Sequence, residues 1–215
     1  MRILSSLFVY ILILVAAARC GVHPPMPDGN VSVARAQQAW RDDWHAIWQV
    51  EWHNAPVRGP LVAEVWHADD GRIRIETLEA PTPALNGLIL VDDGETRWLY
   101  DARHDARHKR LEAESAELAR IPLSSDALDA IDWLLLNVDD ATVVVSGRDT
   151  LESGAAIQLD IVLPSGDRAA LWVHDETGLP SRVKLHSAIW GQACFTARSI
   201  SIPGHLHPGL FTPPN

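Results

Sequence analysis

A tryptophan-rich stretch near the start of the chain constrains the fold more than any other part of the sequence. Between Trp44 and Trp52 every even-numbered residue is apolar, whereas four of the five odd-numbered residues from His45 to His53 are polar. This period of two is typical of a β-strand with one buried face. Tryptophans also recur here at every fourth residue, as on a helix, but a helix would place polar Glu51 close to that row. We therefore predict a strand whose indole face packs against a large apolar partner.

The segments around this strand predict antiparallel hairpins preceded by one helix. A helix is expected at 32–42, where Ser32 can cap its first turn. Asp-Gly pairs at 70–71 and 93–94 supply the backbone conformations that hairpins need, and alternating apolar runs flank each pair. The first half of the chain should therefore be a helix followed by five strands.

The second half predicts a helical insertion and then five more strands. The segment 111–119 is rich in Glu and Ala, and 127–136 carries an apolar row at helical spacing. Alternating apolar residues return between 141 and 202, interrupted by turns that contain Pro and Gly. Regular hairpins of this kind form a curved antiparallel sheet rather than a parallel α/β core.

The first 20 residues predict export. An early Arg, an apolar run of about a dozen residues and a group of small residues are typical of a signal peptide. Two processing routes fit: cleavage after Ala18, or lipidation of Cys20 as in a bacterial lipoprotein. Cys20 has the position of a lipidated cysteine, although Arg19 stands where that motif has a small residue. We expect a flexible tether at 21–31, rich in Pro and Gly, and a single domain at 32–215.

Charge and composition argue against several classes of function. The formal net charge of -10 disfavours nucleic acid as a partner. With only Cys20 and Cys194, a disulfide framework is not expected. His104 and His108 have helical spacing but lack the Glu of a metalloprotease site, and no Gly-x-Ser-x-Gly motif occurs. We therefore expect no catalytic residues, no metal and no cofactor.

Scaffold residues in both halves of the chain resemble the LolA-like family. This family includes periplasmic lipoprotein carriers, LolB-type receptors, RseB-type envelope-stress sensors and mycobacterial lipid-binding lipoproteins. The residues that carry the resemblance are Asp93-Gly94 with Trp98 and Tyr100, then Leu171-Trp172-Val173 followed by Asp175-Glu176-Thr177-Gly178-Leu179-Pro180-Ser181-Arg182, and finally Leu210-Phe211.

The resemblance implies an α+β fold, an unclosed antiparallel half-barrel of about 10–11 strands with helices covering the concave face. It also implies that the concave cavity holds acyl chains. We expect the lining to consist of large apolar side chains of the first five strands and of the covering helix, namely Trp44, Trp48, Val50, Trp52, Trp66, Ile73, Ile75, Trp98, Tyr100, Leu134 and Leu135. The alternative is that these tryptophans pack against the helices as ordinary core.

Two functions from different classes follow. The first is a non-catalytic extracytoplasmic protein that binds the acyl chain of a lipid or lipoprotein, as a carrier or a tethered acceptor. The second is an envelope-stress sensory module of RseB type that binds a membrane-anchored protein partner. In both cases we expect an exported monomer, which touches a membrane only through a lipidated Cys20.

Overall fold

The computed structural model of the protein describes residues 26–53, 59–101, 109–110 and 124–212. Several predictions lie outside these residues. They concern the leader with Cys20, the histidine pair His104 and His108, and the helix at 111–119.

The described residues form two α-helices and eleven strands. The helices are α1 (Gly29–Arg41) and α2 (Ser124–Leu136), and short 3₁₀ turns occupy Pro83–Leu85 and Pro208–Phe211. The strands are β1 (Trp44–Trp52), β2 (Leu61–His67), β3 (Ile73–Glu79), β4 (Leu88–Asp92), β5 (Arg97–Asp101), β6 (Lys109–Arg110), β7 (Thr142–Leu151), β8 (Gly154–Val162), β9 (Arg168–His174), β10 (Pro180–Ser187) and β11 (Gly191–Ser201).

Helix α1 begins earlier than the sequence predicted. The Asp28 carboxylate, rather than Ser32, caps it by accepting hydrogen bonds from the backbone N–H groups of Asn30 and Val31. Residues 29–31, which we had assigned to the tether, are therefore helical. The buried face of α1 comprises Val33, Ala36, Ala39 and Trp40, at the spacing of an amphipathic helix.

All eleven strands belong to one antiparallel sheet with the order β6-β5-β4-β3-β2-β1-β11-β10-β9-β8-β7. Neighbours in the sheet are consecutive in sequence except for β1 and β11. The chain thus forms a meander outward from β1, passes through α2 to the far edge, and returns as a second meander to β11. The tryptophan strand β1 lies at the junction of the two.

The sheet is unclosed in the described part of the chain, since its edge strands β6 and β7 pair with one neighbour each. The predicted fold class, an α+β half-barrel with helices over one face, is confirmed. Glycines with positive φ end the predicted Asp-Gly turns, at Gly71 (φ 87°) and Gly94 (φ 89°). Neither described helix is long and apolar enough to cross a membrane.

Candidate functional site

The two faces of the sheet have different neighbours. On β1 the even-numbered residues Trp44, Ala46, Trp48 and Val50 are buried in one core together with residues of α1 and α2. We call this side the helix-covered face. The odd-numbered residues of β1, such as Glu51, point to the opposite side, which we call the outer face.

Trp40 of α1 joins both helices to the tryptophan strand. Its ring stacks on Trp44 with centroids 4.6 Å apart and meets Trp48 edge-on at 6.3 Å. Its indole N–H donates to the Asp132 carboxylate on α2, and its carbonyl accepts from the Trp44 indole N–H at 3.1 Å. Trp40 of α1 is therefore in contact with both α2 and β1.

Asp132 carries an electrostatic cost in this arrangement. Although the residue as a whole is exposed, partial burial of its carboxyl raises its pKa, and the hydrogen bond from Trp40 opposes that shift. An acid with a raised pKa in the folded state binds protons more tightly there than in the unfolded chain. Stability therefore falls as pH rises from the ordinary Asp range through the raised value.

We expect Asp132→Asn to raise the urea midpoint of unfolding at pH 7, because Asn can still accept from the Trp40 indole without a charge. The gain should shrink on acidification and vanish below the ordinary Asp pKa of 3.8. Unfolding curves between pH 3 and pH 8 measure this. Asp140→Asn, in the exposed turn after α2, is the matched control, and a gain of equal size there would contradict the assignment.

Most of the expected lining residues lie on the helix-covered face. Trp44 is fully buried and Trp48 is 3% exposed, whereas Trp52 is half-buried at the end of the strand. The expected residues that belong to this core or pack against it are Trp44, Trp48, Val50, Trp52, Ile73, Ile75, Leu134 and Leu135.

Three expected residues are on the wrong face, and the prediction for them is corrected. Trp66 pairs with His45, an odd-numbered residue of β1, so its ring lies on the outer face. The same register carries Trp98 and Tyr100 to that side. They form a second cluster that the C-terminal segment covers, with Phe211 buried in it.

The space directly above Trp44 and Trp48 is filled by α1 and α2, as the alternative of an ordinary core predicted for these two rings. An open cavity of about 450 Å³ lies instead at the C-terminal end of α2, between that helix and the β8–β9 and β10–β11 turns. We call it the mouth cavity. Half of its lining residues are apolar, namely Trp133, Leu136, Leu163, Pro164 and Ile189. The other half are polar, namely Asn137, Asp139, Asp140, Ser165 and Asp167.

Sequence reasoning missed the importance of the mouth cavity. Leu136 is 69% exposed and Ile189 is 70% exposed, which is unusual for two large aliphatic side chains that flank the same opening. The sequence offered two signals for it: Leu136, the third Leu of the run 134–136, and the apolar pair Ile189-Trp190 within a turn. Trp133 and Leu163 connect this opening to the main core.

Several buried indole N–H groups have no hydrogen-bond acceptor within the described residues, namely those of Trp48, Trp172 and Trp190. Of these three residues, Trp48 is a buried member of the main core. Buried indole N–H groups normally find an acceptor. Also within those residues, no group of three or more His, Cys, Asp or Glu side chains is arranged to hold a metal ion.

Comparisons with solved structures identify the fold. The chain is similar to MucB, with a TM-score of 0.58 and 14% identity over 89% of this chain and 64% of MucB. It is also similar to LprF from Mycobacterium bovis, with a TM-score of 0.51 and 14% identity over 84% of this chain and 98% of LprF. The MucA/MucB complex of Pseudomonas aeruginosa gives a TM-score of 0.54 and 16% identity, over 87% of this chain and 62% of that chain.

These likenesses define an open antiparallel half-barrel covered by helices. The chain has the LolA-like fold, as the resemblance in its sequence implied. It spans less than two thirds of the length of MucB. Comparison of the sequence with protein-family models finds no match, and comparison with curated proteins finds none either.

Proposed function

We propose that this protein binds the acyl chain of a lipid or lipoprotein outside the cytoplasm and has no catalytic activity. The observation that carries the proposal is the mouth cavity, where the exposed apolar side chains of Leu136 and Ile189 flank an opening beside a tryptophan-rich core. Its volume of about 450 Å³ is in the range of small-molecule sites. Shielding hydrocarbon from water contributes about 0.8 kcal/mol per buried methylene, so a long chain supplies enough energy to displace neighbouring side chains.

Binding in this proposal begins at the mouth cavity and proceeds toward Trp48. Because α1 and α2 already cover Trp44 and Trp48, a long acyl chain needs α2 to move away from the sheet. The unpaired N–H of Trp48 would then offer a donor to a carbonyl of the ligand. Export through the leader, and anchoring through Cys20 or release after Ala18, belong to the same proposal.

Fatty-acid binding by the full chain tests the proposal. After purification without detergent, we expect extracted lipid in mass spectra and a saturable response to a fluorescent fatty acid. Leu136→Asp and Ile189→Asp should each weaken that binding at least tenfold, about 1.4 kcal/mol, because each replaces an apolar side chain at the opening by a charged one. Both side chains are exposed, so the fold should persist.

Val144→Asp is the matched control, because Val144 is an exposed apolar residue of β7 that lies outside the mouth cavity. It should bind the fatty acid as the wild type does. Absence of both co-purified lipid and a fluorescence response would contradict acyl-chain binding. An equal loss in all three variants would contradict the placement of the entrance.

The alternative is a regulatory module that binds a membrane-protein partner. It is supported by the likeness to MucB, which has been solved in complex with MucA. The two functions are compatible, since a ligand on the helix-covered face leaves the outer face available for a partner.

A further inference from the structure

A groove of about 820 Å³ crosses the outer face at one end of the sheet. It runs perpendicular to the strands, from β8 across β9, β10 and β11 to β1, between two rows of outward side chains. One row contains Asp160, Lys184 and Glu51, and the other contains Arg168, His186 and His53. We call this groove the cross-strand trough.

The charged residues along the trough have a defined order. Arg168 on β9 and Lys184 on β10 lie at the centre, and both are exposed. Asp160 on β8 and Glu51 on β1 lie at the two ends. The trough is therefore positive in its middle and negative at its ends, in a protein whose formal net charge is -10.

The central cations have no ion-pair partner in the part of the chain that the structure describes. The Lys184 ammonium lies 5.4 Å from the centroid of the buried Trp172 ring at the edge of the trough, and Arg182 approaches the same ring at 5.5 Å. By contrast, Arg148 on neighbouring β7 is paired with Asp175 at 2.6 Å. Two adjacent unpaired cations on an acidic protein are an attractive site for carboxylates.

We propose that the cross-strand trough binds an extended peptide segment of a partner protein, with acidic residues at its centre and basic residues at its ends. Five strands about 4.8 Å apart span roughly 19 Å, which is the length of about six extended residues. An anionic membrane fits less well, because Asp160 and Glu51 would repel it. A second copy of the chain is disfavoured by the mutual repulsion of two acidic molecules. The proposal does not depend on acyl-chain binding.

Two labelled peptides of identical composition test this charge order. One has the sequence Lys-Gly-Glu-Glu-Gly-Lys and the other Glu-Gly-Lys-Lys-Gly-Glu, both with blocked ends. Fluorescence anisotropy with the full chain at low ionic strength should show that the acid-centred peptide binds about tenfold more tightly than the other. A single exposed ion pair contributes little, but the two ion pairs at the centre of the trough would act together. The combined change Arg168→Glu and Lys184→Glu should reverse that preference.

Arg148→Glu, outside the trough, is the matched control and should retain the wild-type preference. Unchanged urea midpoints would show that the variants are folded. Equal binding of the two peptides, or no saturable binding up to millimolar concentration, would overturn the proposal. So would binding to phosphatidylglycerol vesicles that depends on Arg168 and Lys184 while the peptides do not bind.

Discussion

Replacing Trp44 by alanine is expected to lower the free energy of unfolding by about 4 kcal/mol, the range for deleting a large buried aromatic side chain. Trp44 has no exposed surface, and its ring stacks on the rings of Trp40, at 4.6 Å, and His67, at 5.2 Å. The change would remove both stacking contacts and the hydrogen bond to the Trp40 carbonyl. Because Trp40 also connects α1 to α2, the cavity would loosen both helices. Urea unfolding followed by circular dichroism measures the loss.

Trp52→Ala is the control for that experiment, since it deletes the same side chain from the same strand. Trp52 is half-buried at the strand end and meets Phe195 edge-on at 5.2 Å. We expect less than half of the loss seen for Trp44→Ala. Equal losses would contradict the prediction, because neither the complete burial of Trp44 nor its stacking would then distinguish it from Trp52.

Gly154→Ala is expected to lower the free energy of unfolding by about 3 kcal/mol. Gly154 has φ 131°, and an added Cβ would lie 2.5 Å from the Nε2 atom of His174. That histidine cannot move freely. Its Nδ1 accepts from the Thr177 backbone N–H, so Nε2 carries the proton and donates to the Ser153 carbonyl at 3.0 Å. The substitution therefore combines backbone strain with a clash in a closely packed turn.

Gly166→Ala separates these two causes. Gly166 also has a positive φ, 87°, but an added Cβ would have nothing within 4 Å. Gly166→Ala should lower the free energy of unfolding by about 1 kcal/mol, which is the cost of the positive-φ backbone conformation alone. Equilibrium unfolding of both variants gives the comparison. If Gly154→Ala costs no more than Gly166→Ala, the turn is able to absorb the clash and His174 is not a rigid neighbour.

The strand-by-strand outline of this fold could be predicted from sequence because each local signal agreed with the global arrangement. Alternation identified β1 and its buried face, and Asp-Gly pairs identified the turns that follow β2 and β4. The start of α1 was missed because both Asp28 and Ser32 are good caps. The choice between them depends on where the helix meets the sheet.

The faces of β2 and β5 could not be predicted, for a different reason. Both sides of these strands are apolar, since Val65 faces the main core while Trp66 faces the cluster around Phe211. Alternation identifies two sides but does not say which one the helices cover. The mouth cavity could be predicted only in part. The sequence shows the run 134–136 and the Ile-Trp pair, but how far α2 extends along the sheet decides whether Leu136 and Ile189 are exposed.

The position of β1 beside β11 has a consequence for the order of folding. Every other strand pair joins neighbours in sequence, so each meander can form through short loops. The pairing of β1 with β11, by contrast, joins residues that are far apart in sequence. For example, the Arg198 side chain donates hydrogen bonds to the Gln49 side chain, 149 positions away. Closing so long a loop carries the largest entropic cost in the sheet. We therefore expect each meander to form first and the two meanders to pair along β1 afterwards. In a refolding experiment, the β1 amides should then become protected from hydrogen exchange late.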